Sequence, residues 1–329
     1  MSLLICGGAG YIGSHAVTEL IGANHNVIVL DNVSTGHYGA IHPKATFVQG
    51  DLREKGDVQN VFENHSIDAV MHFSASSLVG ESVEDPLKYY ENNVYGTMNL
   101  LKVMAEHNVK QIVFSSTAAT YGEPEEVPIL ETAPTEPTNP YGETKLAVEK
   151  MLKWAEQAHG IRHVILRYFN VAGAHPNYDI GEDHRPETHL IPIILQVALG
   201  QRDHIKMFGD DYATEDGTCV RDYIHVLDLV RAHILALERL EHGSPSAIYN
   251  LGNGEGFSVK EMVDAARKVT GHEIPAQVAP RRAGDPAKLI ASSQKAKEEL
   301  GWIPEYTNME DIIATAWEWH QKHPNGYED

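Results

Sequence analysis

The sequence predicts an α/β protein: a doubly wound parallel sheet followed by a second, smaller α+β domain. Three observations carry this. Short apolar runs alternate with longer helical patterns through the first half of the chain. The first run feeds straight into a glycine-rich turn. Past residue 175 the alternation gives way to a polar stretch containing prolines and glycines.

Strands are expected at Leu3–Cys6, Val27–Asp31, Thr46–Gln49, Ala69–Phe73, Ile112–Ser115 and Val164–Phe169. Helices are expected near 11–22, 54–64, 86–107 and 140–159. Apolar runs of four to six residues between helices mark a parallel sheet covered on both faces, and right-handed crossovers then wind it both ways. Gly173 to Pro192 reads as a long loop, followed by helices near 190–199, 226–240, 258–270 and 308–323. The 329 residues suit two domains at roughly 150 residues each. The expected division is 1–175 for a nucleotide-binding Rossmann unit and 176–329 for a substrate unit. That boundary is soft, since later segments are free to return to the first unit.

The balance of 26 basic and 46 acidic residues gives a net charge of −20. Nucleic acids and anionic membrane surfaces need clustered cations, so neither is expected as a partner. No apolar run approaches the ~20 residues of a membrane span. The two cysteines, Cys6 and Cys219, suggest no disulfide framework. The N-terminal run lacks a basic region and a cleavage signal, so a soluble cytoplasmic protein is expected.

Glycines 7, 10 and 13 follow a GxxGxxG spacing. Side chains there would keep the backbone from a pyrophosphate, and the helix beginning at the turn presents its free N–H groups and positive end. A tight strand-to-helix turn alone would also use glycine. The second strand, however, ends at Asp31, 18 residues past Gly13. An acid there accepts from adenosine ribose hydroxyls and repels a 2′-phosphate, favouring NAD over NADP. Asp51 follows the third strand, where it meets an adenine amino group or caps the next helix.

Tyr141 and Lys145 stand four apart on the expected 140–159 helix and so share a face. A phenol needs its pKa of ~10 lowered by about 3 units to act as a base near neutrality. An adjacent ammonium and a cationic nicotinamide ring have the right sign. Thr117 follows the fifth strand at the same sheet edge, where its hydroxyl can hydrogen-bond or relay a proton from a reacting sugar oxygen. Arginine, as at 221 and 282, binds phosphate oxygens bidentately, although Arg221 read alone also suits an ion pair with a nearby acid.

These features join further blocks: Val-Gly-Glu-Ser at 79–82, Arg-Tyr-Phe-Asn at 167–170, Thr-Glu-Asp-Gly-Thr at 214–218, Val-Arg-Asp-Tyr-Ile-His-Val at 220–226 and Ala-Pro-Arg-Arg-Ala-Gly-Asp at 279–285. Together with Gly-Gly-Ala-Gly-Tyr-Ile-Gly-Ser-His at 7–15 and Tyr-Gly-Glu-Thr-Lys at 141–145, they resemble the extended short-chain dehydrogenase/reductase family over nearly the whole chain. Within that family the likeness is to the nucleotide-sugar 4-epimerases.

The resemblance implies a tightly held NAD and a UDP-hexose substrate. Tyr141 would take the proton of the sugar 4-hydroxyl as C4 gives up hydride; the 4-keto sugar would turn over and be reduced on its other face, interconverting UDP-galactose and UDP-glucose. Thr117 would supply the hydroxyl. Lys145 would lower the Tyr141 pKa and bind the nicotinamide ribose. Gly7, Gly10, Tyr11, Ile12, Gly13, Asp31, Asn32, Asp51, Leu52, Phe73, Asn92, Tyr141, Lys145 and Tyr168 would contact the cofactor. Ser77 stands where some members carry a lysine. Thr117, Tyr141, Asn170, Leu190, Phe208, Arg221, Tyr223, Arg282 and Asp285 would contact the nucleotide sugar, and His189 replaces an asparagine of some relatives. Leu289, intermediate in size, takes the position that gates room around the sugar 2-substituent. A homodimer through the helices near 86–107 and 140–159 is also implied.

The 19 histidines include no HExxH spacing and no zinc-type cysteine pair, so no metal site is expected. His184 and His189 read as surface or ligand-adjacent residues in the loop. A nucleotide-sugar 4,6-dehydratase would need a carboxylate pair beside the active hydroxyl, and Thr117 is followed by Ala118-Ala119. A net oxidoreductase would release reduced cofactor. A non-catalytic NAD-binding sensor would have no use for Tyr141 and Lys145 together.

Overall fold

The computed structural model describes residues 1–281 and 286–328. Its first half alternates as the sequence predicts: β1 (Ser2–Cys6), α1 (Tyr11–Gly22), β2 (Asn26–Asp31), β3 (Thr46–Gln49), α2 (Lys55–Asn64) and β4 (Ala69–His72). Then come α3 (Val79–Glu84), α4 (Pro86–Tyr89), a π-helical turn (Tyr90–Tyr95), α5 (Gly96–Glu106), β5 (Gln111–Ser115), α6 (Pro140–His159) and β6 (Arg162–Tyr168). The single helix expected over 86–107 is thus broken by a π-helical turn, a rare element often found at functional sites. Asn93 lies in that turn. Its amide accepts from Ser76 N–H at 2.8 Å and donates to the Thr144 hydroxyl at 3.0 Å, tying the loop after β4 to α6.

The second half holds β7 (Asn170–Ala172), α7 (Leu190–Ala198), β8 (Ile205–Phe208), β9 (Val220–Arg221), β10 (Tyr223–His225) and α8 (Val226–Glu241). After these come β11 (Ala247–Leu251), β12 (Phe257–Ser258), α9 (Val259–Thr270), β13 (Ala276–Ala279), β14 (Lys288–Leu289), α10 (Gln294–Leu300) and α11 (Met309–Lys322).

The main sheet has seven strands in the order β11-β6-β5-β4-β1-β2-β3, and every pairing in it is parallel. Alternation along β1 shows the double winding. Leu3 and Ile5 pack with Val17 and Leu20 of α1 and Leu229 and Leu237 of α8. Leu4 and Cys6 pack on the opposite face with Val58 of α2, Leu100 of α5 and Val148 of α6. Strand β11 and helix α8, both beyond residue 175, therefore belong to the first sheet and its cover. A separate apolar cluster joins α7, α9 and α11 through Leu195, Met262 and Ile313, with short two- and three-stranded sheets beside it.

Strand order reverses between β1 and β4, so chain connections leave in opposite directions and open a crevice at the carboxyl ends of these strands. Among the described residues, no helix is long and apolar enough to cross a membrane.

Candidate active site

The crevice begins at the glycine turn. Gly7 has φ +83°, and a Cβ there would stand 2.6 Å from Ser74 N; one on Gly13 would collide with the Gly7 carbonyl. Both positions are closed to any side chain. Gly10 differs: a Cβ would be in ordinary contact only, so its hydrogen spares room in front of α1 rather than permitting the turn. Gly10 is the N-cap of that helix and offers no side-chain cap, leaving the first-turn N–H groups available to an anion. Asp31 stiffens the turn, accepting from Ala9 N–H at 2.9 Å and Val33 N–H at 2.8 Å. Burial raises its carboxyl pKa, against those two hydrogen bonds. This cradle of bare backbone, free helix end and acid at the next strand fits a dinucleotide.

The other expected cofactor residues surround it unevenly. Ile12 packs on the core from the first turn of α1. The Tyr11 hydroxyl donates to Gly173 O at 2.6 Å, so its backbone, not its ring, faces the cradle. Asn32 donates to Asp51 at 2.8 Å. Asp51 does not cap α2, whose N-cap is Glu54; instead it accepts from the Arg53 guanidinium at 2.7 and 3.0 Å, which with Asn32 holds its pKa at about 2. Leu52 is buried, its carbonyl bound by Asn99 at 3.1 Å. Phe73 lies 4.8 Å from the His233 ring. Asn92 sits on the π-helical turn, donating to Asn93 at 3.1 Å. Ser77 is exposed.

The reactive groups gather at the end of β5, two strands from the glycine turn on the same sheet edge. Thr117 is buried beside the Tyr141 phenol; its hydroxyl accepts from Ala119 N–H at 3.1 Å. Asn139 caps α6 through Gly142 N–H at 2.9 Å, with Pro140 at the first position, which fixes Tyr141 in the opening turn. Lys145, one turn on, is buried and donates to Ser115 O at 2.8 Å. Its ammonium lies 4.9 Å over the Phe114 ring. Burial lowers its pKa to about 7, against the pull of Glu149.

In the protein alone, burial raises the pKa of the Tyr141 phenol, with Thr117 acting the other way; the expected lowering draws on the nicotinamide ring as well as Lys145. Lys145 donates its hydrogen bond to Ser115 O at the strand end, and desolvation dominates at the phenol. Ser115 completes the floor, its hydroxyl hydrogen-bonded to His233 Nε2 at 2.7 Å and close to the Tyr168 phenol.

Beneath these groups lies a network that sequence reasoning missed. Arg167 donates to Glu149 at 3.0 and 2.5 Å and to the Tyr121 hydroxyl at 2.8 Å, and Ser116 donates to Glu149 at 2.5 Å. Arg167 and Glu149 are both buried. Arg167 sits in the Arg-Tyr-Phe-Asn block, the one signal that pointed toward it.

Two residues past Tyr168, Asn170 opens a second space. A cavity of about 680 Å³ is lined by Asn170, Leu190, Phe208, Arg221 and Tyr223, all five described substrate candidates. Arg202 and Lys206 line it too and were not anticipated. Arg282 and Asp285 lie outside the described residues. Strand pairing places Asn170 opposite Tyr223 and Leu289 opposite Arg221. Leu289 also packs toward Ala118 and Tyr121, linking the cavity to the Thr117 turn. Asp222, between Arg221 and Tyr223, is buried and accepts N–H bonds from Asn253 at 2.7 Å and Ala291 at 3.1 Å. Burial pushes its pKa up to about 6.

His184 and His189 do not sit apart. Glu182 Oε1 lies 3.2 Å from His184 Nδ1 and 3.0 Å from His189 Nδ1, and Glu187 Oε1 lies 3.1 Å from His189 Nδ1. Burial opposes charge on these imidazoles, yet the carboxylates override it and raise their pKa values to about 9 and about 10. The sequence signal was a doubled Glu-x-His, at 182–184 and 187–189.

Fold and site define a dinucleotide-dependent enzyme with a tyrosine–lysine centre beside a cavity lined by cations. The sequence pattern of the NAD dependent epimerase/dehydratase family matches residues 3–252, and the chain belongs to that family. It is 61% identical over 327 residues to a UDP-glucose 4-epimerase of Halalkalibacterium halodurans, covering 99% of this chain and 98% of that one. A crystal structure of a UDP-glucose 4-epimerase superposes with a TM-score of 0.99 at 65% identity over the full length of both. The structure of the Bifidobacterium longum UDP-glucose 4-epimerase in complex with NAD+ and UDP gives 0.93 at 42%, covering 99% of this chain and 100% of that one.

Proposed function

We propose that this chain interconverts UDP-galactose and UDP-glucose by reversible oxidation at C4. The observation that carries the reading is the juxtaposition of Thr117 with Tyr141 and Lys145 at the end of β5, between the dinucleotide cradle and the cation-lined cavity. Bound NAD supplies a hydride acceptor that returns the hydride within the same turnover. The first-turn N–H groups of α1 hold its pyrophosphate, and Asp31 takes its ribose hydroxyls. Lys145 exchanges Ser115 O for the nicotinamide ribose and the phenolate.

Thr117 bonds the sugar 4-oxygen and passes its proton toward Tyr141, which keeps it while the 4-keto sugar turns and then gives it back. Arg221, with Arg282, binds the UDP pyrophosphate, while Phe208 and Tyr223 pack on its flatter parts. Leu289 sets the room beside the sugar. The pyrophosphate stays fixed while the hexose, held by fewer contacts, presents its second face.

The domain division follows this chemistry: residues 1–175, joined by α8 and β11, carry the cofactor, and the remainder carries the nucleotide sugar. Two free, buried cysteines fit a cytoplasmic protein. A homodimer through α4, α5 and α6 is supported by the exposed Leu87 and Trp154, at 77% and 64%. Leu87→Glu with Trp154→Glu gives monomers by light scattering on this reading.

The test is purified protein with UDP-galactose and no added reductant. UDP-glucose accumulates to equilibrium without net change in cofactor redox state, and Tyr141→Phe retains NAD while losing most turnover. Absence of UDP-glucose overturns the proposal.

A further inference from the structure

The loop between β7 and α7 holds a cluster that the reaction does not use. Glu182, His184, Glu187 and His189 each offer one donor atom, and these atoms all lie within 4.8 Å of one another. Glu182 Oε1 is 3.0 Å from His189 Nδ1 and 3.2 Å from His184 Nδ1, and Glu187 is 3.1 Å from His189 through Oε1 and 3.8 Å from His184 through Oε2. A tetrahedral cation with bonds of about 2.0–2.2 Å has ligand–ligand edges of roughly 3.3–3.6 Å, so these neighbours are near binding distance and the wider donor separations, up to 4.8 Å, contract on binding.

A second observation is independent of the spacing. His184 Nδ1 is buried and makes no hydrogen bond of acceptable geometry, although Glu182 Oε1 is 3.2 Å away. A ring nitrogen aimed into a carboxylate pair but misaligned for donation is placed as a ligand is. Both glutamate side chains are almost completely covered, at 6% and 5% exposure, so their charge is balanced within the cluster: by protonated imidazoles when the site is empty, or by a cation that displaces those protons.

We propose that Glu182, His184, Glu187 and His189 form a structural site for one divalent transition cation of the zinc type. Imidazole and carboxylate donors suit zinc. Two carboxylates with two neutral imidazoles balance its two positive charges. Four protein ligands close a tetrahedron and leave no position for substrate, which separates a structural site from a catalytic one. All four come from eight consecutive residues, so the ion folds the loop upon itself. His189 is the N-cap of α7 and lines the substrate cavity. The Tyr11 ring meets the His184 ring edge-on, with centroids 6.3 Å apart. The ion would thus clamp the start of α7 against the first turn of α1, between the two binding regions.

The experiment measures metal in the full-length holoenzyme as purified by plasma mass spectrometry, then titrates chelator-treated protein with Zn2+ and with Co2+. One equivalent of Zn2+ per chain and the visible bands of tetrahedral Co2+ are expected. Glu182→Gln and His184→Gln, checked for retained NAD and native circular dichroism, should each weaken Zn2+ binding at least tenfold and abolish its effect on Tm. His272→Gln, at an exposed site, should change nothing. Lack of a stoichiometric equivalent, six-coordinate Co2+ bands, or zinc retained equally by the cluster variants would overturn the proposal; the last outcome means surface histidines only. The Co2+ spectrum is read on unmutated protein, so it decides the matter even if a variant fails to fold.

Discussion

Replacing Lys145 by methionine should stabilise the cofactor-free protein at neutral pH while ending turnover. Burial lowers the lysine from its usual 10.5 to about 7. Between those values the native state binds fewer protons than the unfolded chain, so native stability rises with pH across that window. At pH 7 the displaced titration costs about 4 kcal/mol, and at pH 9.5 about 1 kcal/mol. Methionine removes this cost but strands the Ser115 carbonyl, which now accepts from Nζ at 2.8 Å. An unpaired buried acceptor costs about 1–3 kcal/mol.

The net expectation for Lys145→Met is a gain of about 1–3 kcal/mol at pH 7 that shrinks by about 3 kcal/mol by pH 9.5. Urea unfolding of NAD-stripped wild type and variant at four pH values between 7 and 9.5 reads this directly. A stability difference that stays flat with pH would refute the reasoning, because it would mean the lysine is not held against its charge. So would a loss at pH 7, since hydrogen bonding would then outweigh desolvation.

The remaining predictions concern neighbouring groups. Burial raises the Tyr141 pKa in the protein alone, so ultraviolet difference spectra of stripped protein should show no Tyr141 phenolate at pH 8.5; adding NAD+ should produce one that Tyr141→Phe lacks. Gly13→Ala drives a Cβ into the Gly7 carbonyl, and at about 1–3 kcal/mol for overpacking should weaken NAD retention roughly tenfold or more by cofactor release. Arg167→Met leaves the buried Glu149 carboxylate without its guanidinium and should cost about 3–5 kcal/mol in chemical denaturation. The double variant with Glu149→Met should recover most of that, and a double variant as unstable as the single one would refute the ion-pair account.

Local signals explain which parts of the molecule were legible. Leu3 and Ile5 against Leu4 and Cys6 announce a sheet covered twice, and Asn139-Pro140 announces the start of α6. The glycine turn was readable because backbone collision leaves no alternative residue at 7 and 13. The return of α8 and β11 to the first sheet was not readable, since their apolar patterns state that a core exists without stating which one. Asp222 and Glu149 were missed for a related reason. A buried acid announces itself through partners, and those partners are 31 residues distant at Asn253 and 18 at Arg167. For Tyr141, sequence supplies the nearby charge but not the depth of burial that opposes it in the cofactor-free protein.

The net charge of −20 sharpens what the site must do, because both proposed ligands are pyrophosphates. At physiological salt a surface charge more than about 8 Å away is largely screened, so the general excess of acid neither attracts nor repels a ligand already at the crevice. What remains is short-range. The uncapped N-terminus of α1 serves one pyrophosphate, and Arg221, Arg202 and Lys206 line the cavity for the other. The two devices differ in kind. Backbone N–H groups are not lost by truncating a side chain; they are displaced by added volume, as when Gly13→Ala drives a Cβ into the turn that positions them. The cationic side chains can be removed one at a time. Cofactor affinity is therefore vulnerable to added volume and substrate affinity to lost charge. This matches a cofactor that stays through every turnover and a substrate that must leave after each one.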